Sequence, residues 1–295
     1  MKSIFLTGSS GFIGNNFILD LKKNYEIFRF KRNSKININQ DVVLHLAGIA
    51  HDIKNTIDSE VYYEINTNLT VKIFDKFLKS NSSTFIFISS VKAVRDSYDK
   101  ELDENVIAKP KTDYGKSKLI AEQYIFSKEL PKNKRVFVLR PCIIYGPGNK
   151  GNLNLLFNIV SKGIPWPLGS YDNKRSFCSV NNLIFIIDKL INSKNIASGI
   201  YNVADDDPLS TNEIINLINK SKNKKSIILK IPKKLVSFLA KLGDLFSFPL
   251  NSERLDKLTS SFVVSNKKIT KILNKPLPEN SKSGLLKIFK TFNRN

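Results

Sequence analysis

The sequence predicts an α/β fold: a doubly wound parallel sheet with helices on both faces and a smaller, interleaved C-terminal lobe. Three observations carry this. A short apolar run, Ser3-Ile4-Phe5-Leu6, leads into the glycine loop Thr7-Gly8-Ser9-Ser10-Gly11-Phe12-Ile13-Gly14, which opens a helical segment. Buried-strand runs then alternate with helix-length segments as far as about residue 164, the pattern of a parallel sheet covered on both faces. No low-complexity linker and no 20–50-residue repeat breaks the chain, so a second lobe is interleaved with the first rather than appended.

The segment 12–22 reads as the first helix and 26–30 as the second strand. Residues 41–46 (Asp-Val-Val-Leu-His-Leu) form a third strand, ended by Ala47-Gly48. Val71, Phe74, Phe77 and Leu78 recur at helical spacing over 69–78. A buried strand over 85–88 ends in Ser89-Ser90; 114–126 is helical and 136–139 is a strand. Beyond Gly148, 152–163 reads as a helix and 164–175 as a loop rich in Pro and Gly. The stretch 179–190 returns to the main domain, and Ser210-Thr211-Asn212-Glu213 is a capping box that starts another helix. The segment 233–246 carries apolar Leu235, Val236, Phe238, Leu239, Leu242, Leu245 and Phe246. Its apolar face is expected to pack on the core rather than to lie on a membrane.

Composition sets outer bounds. With 295 residues and 41% hydrophobic content the chain can bury a sizeable core. Its 47 basic and 26 acidic residues leave a formal charge of +21. The excess is mostly lysine spread along a chain rich in Asn and Ile, which reads as a solvated surface and not as a nucleic-acid site. Such a field still attracts diphosphates and acidic lipid surfaces. No run is long and apolar enough for stable membrane insertion, and the N-terminus lacks a signal-peptide pattern, so a cytoplasmic protein is expected. Cys142 and Cys178 read as small buried side chains. With two histidines and no ligand spacing, no metal site is expected.

Gly8, Gly11 and Gly14 carry the first chemical signal. In a strand–loop–helix context they permit a tight turn and close backbone approach to a pyrophosphate, and the helix start at Phe12-Ile13 offers free N–H groups. This is a Rossmann-type dinucleotide site. The second strand ends Phe30-Lys31-Arg32 with no acid in the next several residues, which favours a 2′-phosphate over a free ribose hydroxyl: NADP(H) before NAD. Tyr114 and Lys118 are four residues apart and share a helix face. A nearby ammonium favours the phenolate of a tyrosine whose free pKa is about 10, bringing it into range for acid/base work. Ser90, at a strand's carboxyl end where such sheets bind ligands, can hydrogen-bond a reacting carbonyl or alcohol.

Taken together, these residues resemble the extended short-chain dehydrogenases/reductases of the NAD-dependent epimerase/dehydratase family over nearly the whole chain. The matching elements are the glycine loop, Asp41 to Ala47, Asn66, Ser89-Ser90, Tyr114 to Lys118, Arg140-Pro141-Cys142-Ile143-Ile144-Tyr145-Gly146-Pro147-Gly148 and Arg175. The resemblance implies a nucleotide-diphosphate sugar as substrate and a homodimer formed through two long helices per subunit. It implies Tyr114, Lys118 and Ser90 as the catalytic trio, Leu46 and Ala47 beside the cofactor, and Asn152 and Arg175 on the substrate, with Arg175 at its diphosphate. The expected domains are residues 1–164 for the dinucleotide, with 179–205 returning to them, and 165–178 plus 206–295 for the substrate.

Departures narrow the reaction. Val91-Lys92 stands where the family's sugar 4,6-dehydratases place an Asp-Glu pair, so dehydration is not expected. The segment 33–40 is too short for the usual helix and strand, and the adenine-binding acid found there has no counterpart. Two reactions remain: a 4-ketoreductase using NADPH, and a 4-epimerase retaining NAD. Lys31-Arg32 favours the reductase. Similarity to bacterial reductases that make UDP-N-acetylquinovosamine-type sugars points to a UDP-4-keto-6-deoxy-N-acetylhexosamine substrate for surface polysaccharides. A non-catalytic dinucleotide sensor of the same fold is a further alternative, disfavoured by the presence of Tyr114 and Lys118.

Overall fold

The computed structural model describes residues 1–32, 34–49, 58–149, 151–246 and 251–292, with the side chains of Asn152 and Phe246 outside that description. Six parallel strands form the main sheet: β1 (Lys2–Thr7), β2 (Tyr25–Arg29), β3 (Val42–His45), β4 (Thr84–Ile88), β5 (Arg135–Pro141) and β8 (Gly199–Val203). Their order is β2-β1-β3-β4-β5-β8, and two further strands, β6 (Ile143–Tyr145) and β7 (Phe177–Ser179), pair with each other. The sheet's pleat sorts its side chains by alternation. Ile4, Leu6, Val42, Leu44, Ile86, Ile88, Phe137 and Leu139 share one cluster with α1 (Phe12–Leu21) and α6 (Val180–Asn192). Phe5, Val43, Phe85, Phe87, Val136 and Val138 share another with α3 (Leu69–Lys79) and α4 (Asp113–Ser127). Helices thus cover both faces, as the near-continuous apolar strands require.

The strand order places the ligand edge. β1 lies between β2 and β3, so the winding direction reverses beside β1, and a crevice opens at the carboxyl ends of β1 and β3. Residues 34–41 form neither helix nor strand, so β2 remains the edge strand and Lys31 and Arg32, just beyond its end, are exposed.

The second lobe has its own core. It joins α5 (Asn152–Ser161), α7 (Thr211–Ser221), α8 (Lys233–Phe246), α9 (Ser252–Thr259) and α11 (Ser281–Phe292) around Tyr145, Phe157, Trp166, Phe177, Ile215, Ile218, Leu285 and Phe289. The capping box opens α7 as expected, with both reciprocal hydrogen bonds formed. Between them, α10 (Lys267–Leu273) sends Ile269 back to the sheet-side core. Asp205 fastens the two bodies: its carboxylate accepts from Ser179 N–H (2.9 Å), Asn182 (2.6 Å), Tyr145 (2.9 Å) and Ser281 (3.3 Å). Burial raises this carboxyl to about 6 against those four donors.

One expectation is corrected. The large apolar residues of α8 do not pack on the core: Leu235 is 50% exposed, Phe238 58%, Leu239 46% and Leu245 77%. The helix is instead anchored by small residues, Val236, Ala240 and Gly243, on its opposite face. An amphipathic pattern reveals that a helix has an apolar face, but not what lies against it.

Candidate active site

Three strand ends meet at the crevice. After β1, Gly8 adopts φ +68°, and a Cβ there would lie 2.6 Å from the Ala47 nitrogen and the Leu46 carbonyl carbon. The glycine loop therefore lies against Leu46-Ala47 at the end of β3. A Cβ on Gly14 would lie 2.3 Å from the Gly8 carbonyl oxygen, so the loop closes on the first turn of α1. Gly11, the N-cap of α1, supplies no side-chain cap, and the first turn carries no acid. That end of a ten-residue helix keeps its positive dipole and N–H groups for an anion. The uncapped helix and the glycine-lined approach, at Gly8, Gly11, Phe12, Ile13 and Gly14, fit a dinucleotide pyrophosphate.

A buried relay sets the floor of this crevice. Ala47 N–H donates to the Thr7 hydroxyl (3.0 Å), which donates to His45 Nδ1 (2.6 Å); His45 Nε2 donates to Thr70 (2.9 Å), which donates to the Asn66 carbonyl (2.7 Å). The donor count makes His45 the Nε2–H tautomer. Burial, with Lys118 adding, brings its pKa down to about 3, so it stays neutral. Asn66 then binds Ile49 twice and Ser117 once, tying the segment after β3 to α4.

The catalytic candidates converge from β4 and α4. Ser90 follows β4 and caps a short 3₁₀ turn, Val91–Ala93, by accepting from Lys92 N–H at 3.2 Å. Tyr114 sits in the first turn of α4, capped by Thr112. Two residues not singled out from the sequence bring them together. A Cβ on Gly115 would lie 2.4 Å from the Lys92 carbonyl, so only glycine lets α4 start against the Ser90 turn. Asp96 accepts from Lys111 N–H (2.6 Å) and from Thr112 (3.0 Å for the hydroxyl), fixing the start of that helix. The Ser90 hydroxyl lies close enough to that of Tyr114 to act on its pKa. Burial raises the Tyr114 pKa above its ordinary value of 10; the Ser90 hydroxyl opposes this and Tyr62 adds to it.

Lys118 lies one turn on, buried, donating to the Ile88 carbonyl at 2.9 Å and standing 4.7 Å from the Phe87 ring centroid. Burial lowers its pKa to about 8, opposed by Glu122. Burial is the largest influence on Tyr114, and it raises the phenol's pKa where the sequence predicts a lowering. Gly48 gives Lys118 its room, since a Cβ there would lie 2.9 Å from Nζ and 3.0 Å from Asn66 Oδ1. Behind Lys118, Glu122 accepts from Arg140 Nε at 3.0 Å and from Nη2, and also from the Ser89 hydroxyl, all buried.

The second lobe brings Arg175 to the same side. Its guanidinium donates to the Ser260 carbonyl (2.9 Å) and hydroxyl (2.6 Å), and its backbone pairs with Leu209. Its charge reaches Lys92, two residues past Ser90; burial is the main cause lowering Lys92, with Arg175 and Lys257 adding to it. Lys92, Arg175 and Lys257 bring positive charge to this wall, each with a carboxylate near it: Asp96, Asp256 and Glu253. Asn152 opens α5, but its side chain lies outside the described residues. Cys142 and Cys178 are buried free thiols, as expected.

This fold and this hydroxyl–tyrosine–lysine arrangement define a dinucleotide-dependent enzyme of the extended short-chain dehydrogenase/reductase class. Residues 4–204 match the model of the NAD dependent epimerase/dehydratase family, and the chain belongs to that family. It is 33% identical to a UDP-glucose 4-epimerase of Vibrio cholerae, over 89% of this chain and 87% of that one. It is 24% identical to a dTDP-4-dehydro-6-deoxyglucose reductase of Escherichia coli, over 77% of this chain and 84% of that one. Its fold matches the solved UDP-N-acetylglucosamine 4-epimerase of Bacillus cereus with a TM-score of 0.77 at 20% identity, covering all of both chains.

Proposed function

We propose that the protein reduces the C4 keto group of a nucleotide-diphosphate 6-deoxy sugar, of the UDP-4-keto-6-deoxy-N-acetylhexosamine type, with NADP(H). The observation that carries this reading is the Ser90–Tyr114 hydroxyl pair at the carboxyl edge of the sheet, one turn from buried Lys118. The bound cofactor supplies a hydride to C4. As negative charge develops on O4, Tyr114 donates its proton; burial keeps that proton on the phenol until it is needed, which suits reduction. Ser90 donates a hydrogen bond to the same oxygen. Lys118 holds the nicotinamide ribose through ammonium N–H groups left after its bond to Ile88. Arg175, positioned by Ser260, binds the diphosphate, with Lys92 adding charge. Lys31 and Arg32, exposed past the edge strand, meet the 2′-phosphate of NADPH. We take the active form to be the homodimer usual for this family.

A second reading, an NAD-dependent 4-epimerase, is favoured by the 33% identity to a 4-epimerase. Both share the Tyr114 chemistry at C4 and differ in net redox change. Incubation with NADPH and a UDP-4-keto-6-deoxy-N-acetylhexosamine separates them. The reductase consumes one NADPH per 4-hydroxy sugar formed. Interconversion of two 4-hydroxy sugars with no net loss of NADPH absorbance moves the protein to the second reading, and neither reaction refutes both.

A further inference from the structure

The exposed stripe of α8 has no role in the reaction above. Leu235, Phe238, Leu239, Leu242 and Leu245 recur at helical spacing along one side of the helix, and all but Leu242 are at least 46% exposed. Exposed Ile227 (57%) and Leu229 (45%), on the strap before the helix, extend it. That strap is held to the lobe by backbone pairing with Trp166 and Leu168. The chain that bears this apolar surface is lysine-rich: the segment 214–243 carries eight lysines and no acid. Asp244, at the end of the helix, is engaged by Ser252, and Glu253 on the neighbouring α9 is paired with Lys257.

From this combination we propose that α8 and its strap dock the protein onto an anionic lipid surface, with the leucines and Phe238 in the acyl boundary and the lysines at the headgroups. An apolar stripe flanked by lysine is the pattern of a helix lying in the interface plane. The charge argues against the alternatives. A second copy would set lysine-rich faces against each other, costing repulsion at close range. A nucleic acid would pair with the lysines but leave the stripe in water. The helix lies on the bilayer and does not cross it: fourteen residues span about 21 Å, short of the roughly 30 Å hydrocarbon core. Among the described residues no helix is long and apolar enough to cross. The docking face belongs to the lobe that carries Arg175, and α8 packs on α9, which carries Lys257 of the same wall. A surface-bound enzyme would therefore present its diphosphate-binding wall close to the lipid, a claim independent of which sugar is reduced.

The test is flotation of the full chain with vesicles of phosphatidylcholine containing about 30% phosphatidylglycerol, against phosphatidylcholine alone. The wild type is expected to float with the anionic vesicles, less so at high salt, and not with the neutral ones. Leu235→Ser/Phe238→Ser/Leu239→Ser should weaken this by about tenfold or more. A Phe238→Trp variant covers the case in which the triple variant misfolds: its emission should shift to the blue on anionic vesicles and be quenched by brominated lipid. Buried Trp166 adds only a constant background to that measurement, which the wild type supplies for subtraction. Wild type that stays in solution, a folded triple variant that floats as well as the wild type, or an unshifted emission from the Phe238→Trp variant would each overturn the proposal. So would a triple variant whose only change is loss of self-association in sedimentation, which would make the stripe an interface between copies.

Discussion

At the residue scale, Tyr114 is held where a proton donor is useful and where its proton is retained. Tyr114→Phe removes the hydroxyl and keeps the ring against Tyr62, whose centroid is 6.2 Å away. Turnover should fall by about two to four orders of magnitude with NADPH affinity unchanged; steady-state kinetics with a parallel cofactor titration checks both halves. Lys118 gives a pH signature. With its pKa lowered to about 8, the ammonium loses its proton as pH rises through 8, well before an exposed lysine would. If the charged form holds the cofactor, NADPH affinity should be level below pH 7 and weaken by up to about tenfold per unit well above 8. A flat titration between pH 7 and 9.5 would remove Lys118 from cofactor binding. Tyr114, Lys118 and Ser90 could be singled out as candidates because each sits at a position that spacing defines: one helix turn, or one strand end. Gly48, Gly115 and Asp96 were not. Their importance lies in what a Cβ would meet or which N–H groups a carboxylate reaches across the fold, and no local pattern records that.

At the element scale, α4 depends on the ion pair behind it. Glu122 and Arg140 are 2% and 6% exposed at their side chains, and Ser89 completes the carboxylate's bonding. Glu122→Gln keeps the shape but leaves the Arg140 charge buried without its partner, which should cost about 3–5 kcal/mol in urea unfolding. It also removes the group that raises the Lys118 pKa, so the pH at which NADPH affinity falls should move lower. A purely structural role for Glu122 would change the unfolding midpoint and leave that profile in place. Most elements were readable, because buried strands and capped helices carry local signals; the Ser210–Glu213 box is the clearest. The face of α8 was misread for the same reason that it was noticed. Its apolar period is strong, but Val236, Ala240 and Gly243 make the contact with the lobe, and small side chains contribute little to such a period.

At the scale of the whole molecule, one reversal in strand order and one fastening between bodies create the site. The shortness of the segment after Arg32 foretold a sheet without the usual extra edge strand, and β2 is indeed the edge. The return of α10 to the sheet-side core could not be read, because a short lysine-rich helix carries no address for its few apolar residues. Asp205, bonded by groups from β6, β7, α6 and α11, ties the second lobe, which carries Arg175, to the sheet body. In the proposed reaction, this tie would let a sugar anchored by its diphosphate present C4 to a proton donor. The most direct measurement supplies NADPH deuterated at the transferable C4 position of its nicotinamide, together with the UDP-4-keto-6-deoxy-N-acetylhexosamine, and locates the label in the product by NMR. The account predicts one deuterium, at C4 of the sugar, and almost none in the same time when Tyr114 is replaced by Phe. Deuterium retained in the cofactor, or appearing at any other sugar carbon, would contradict it.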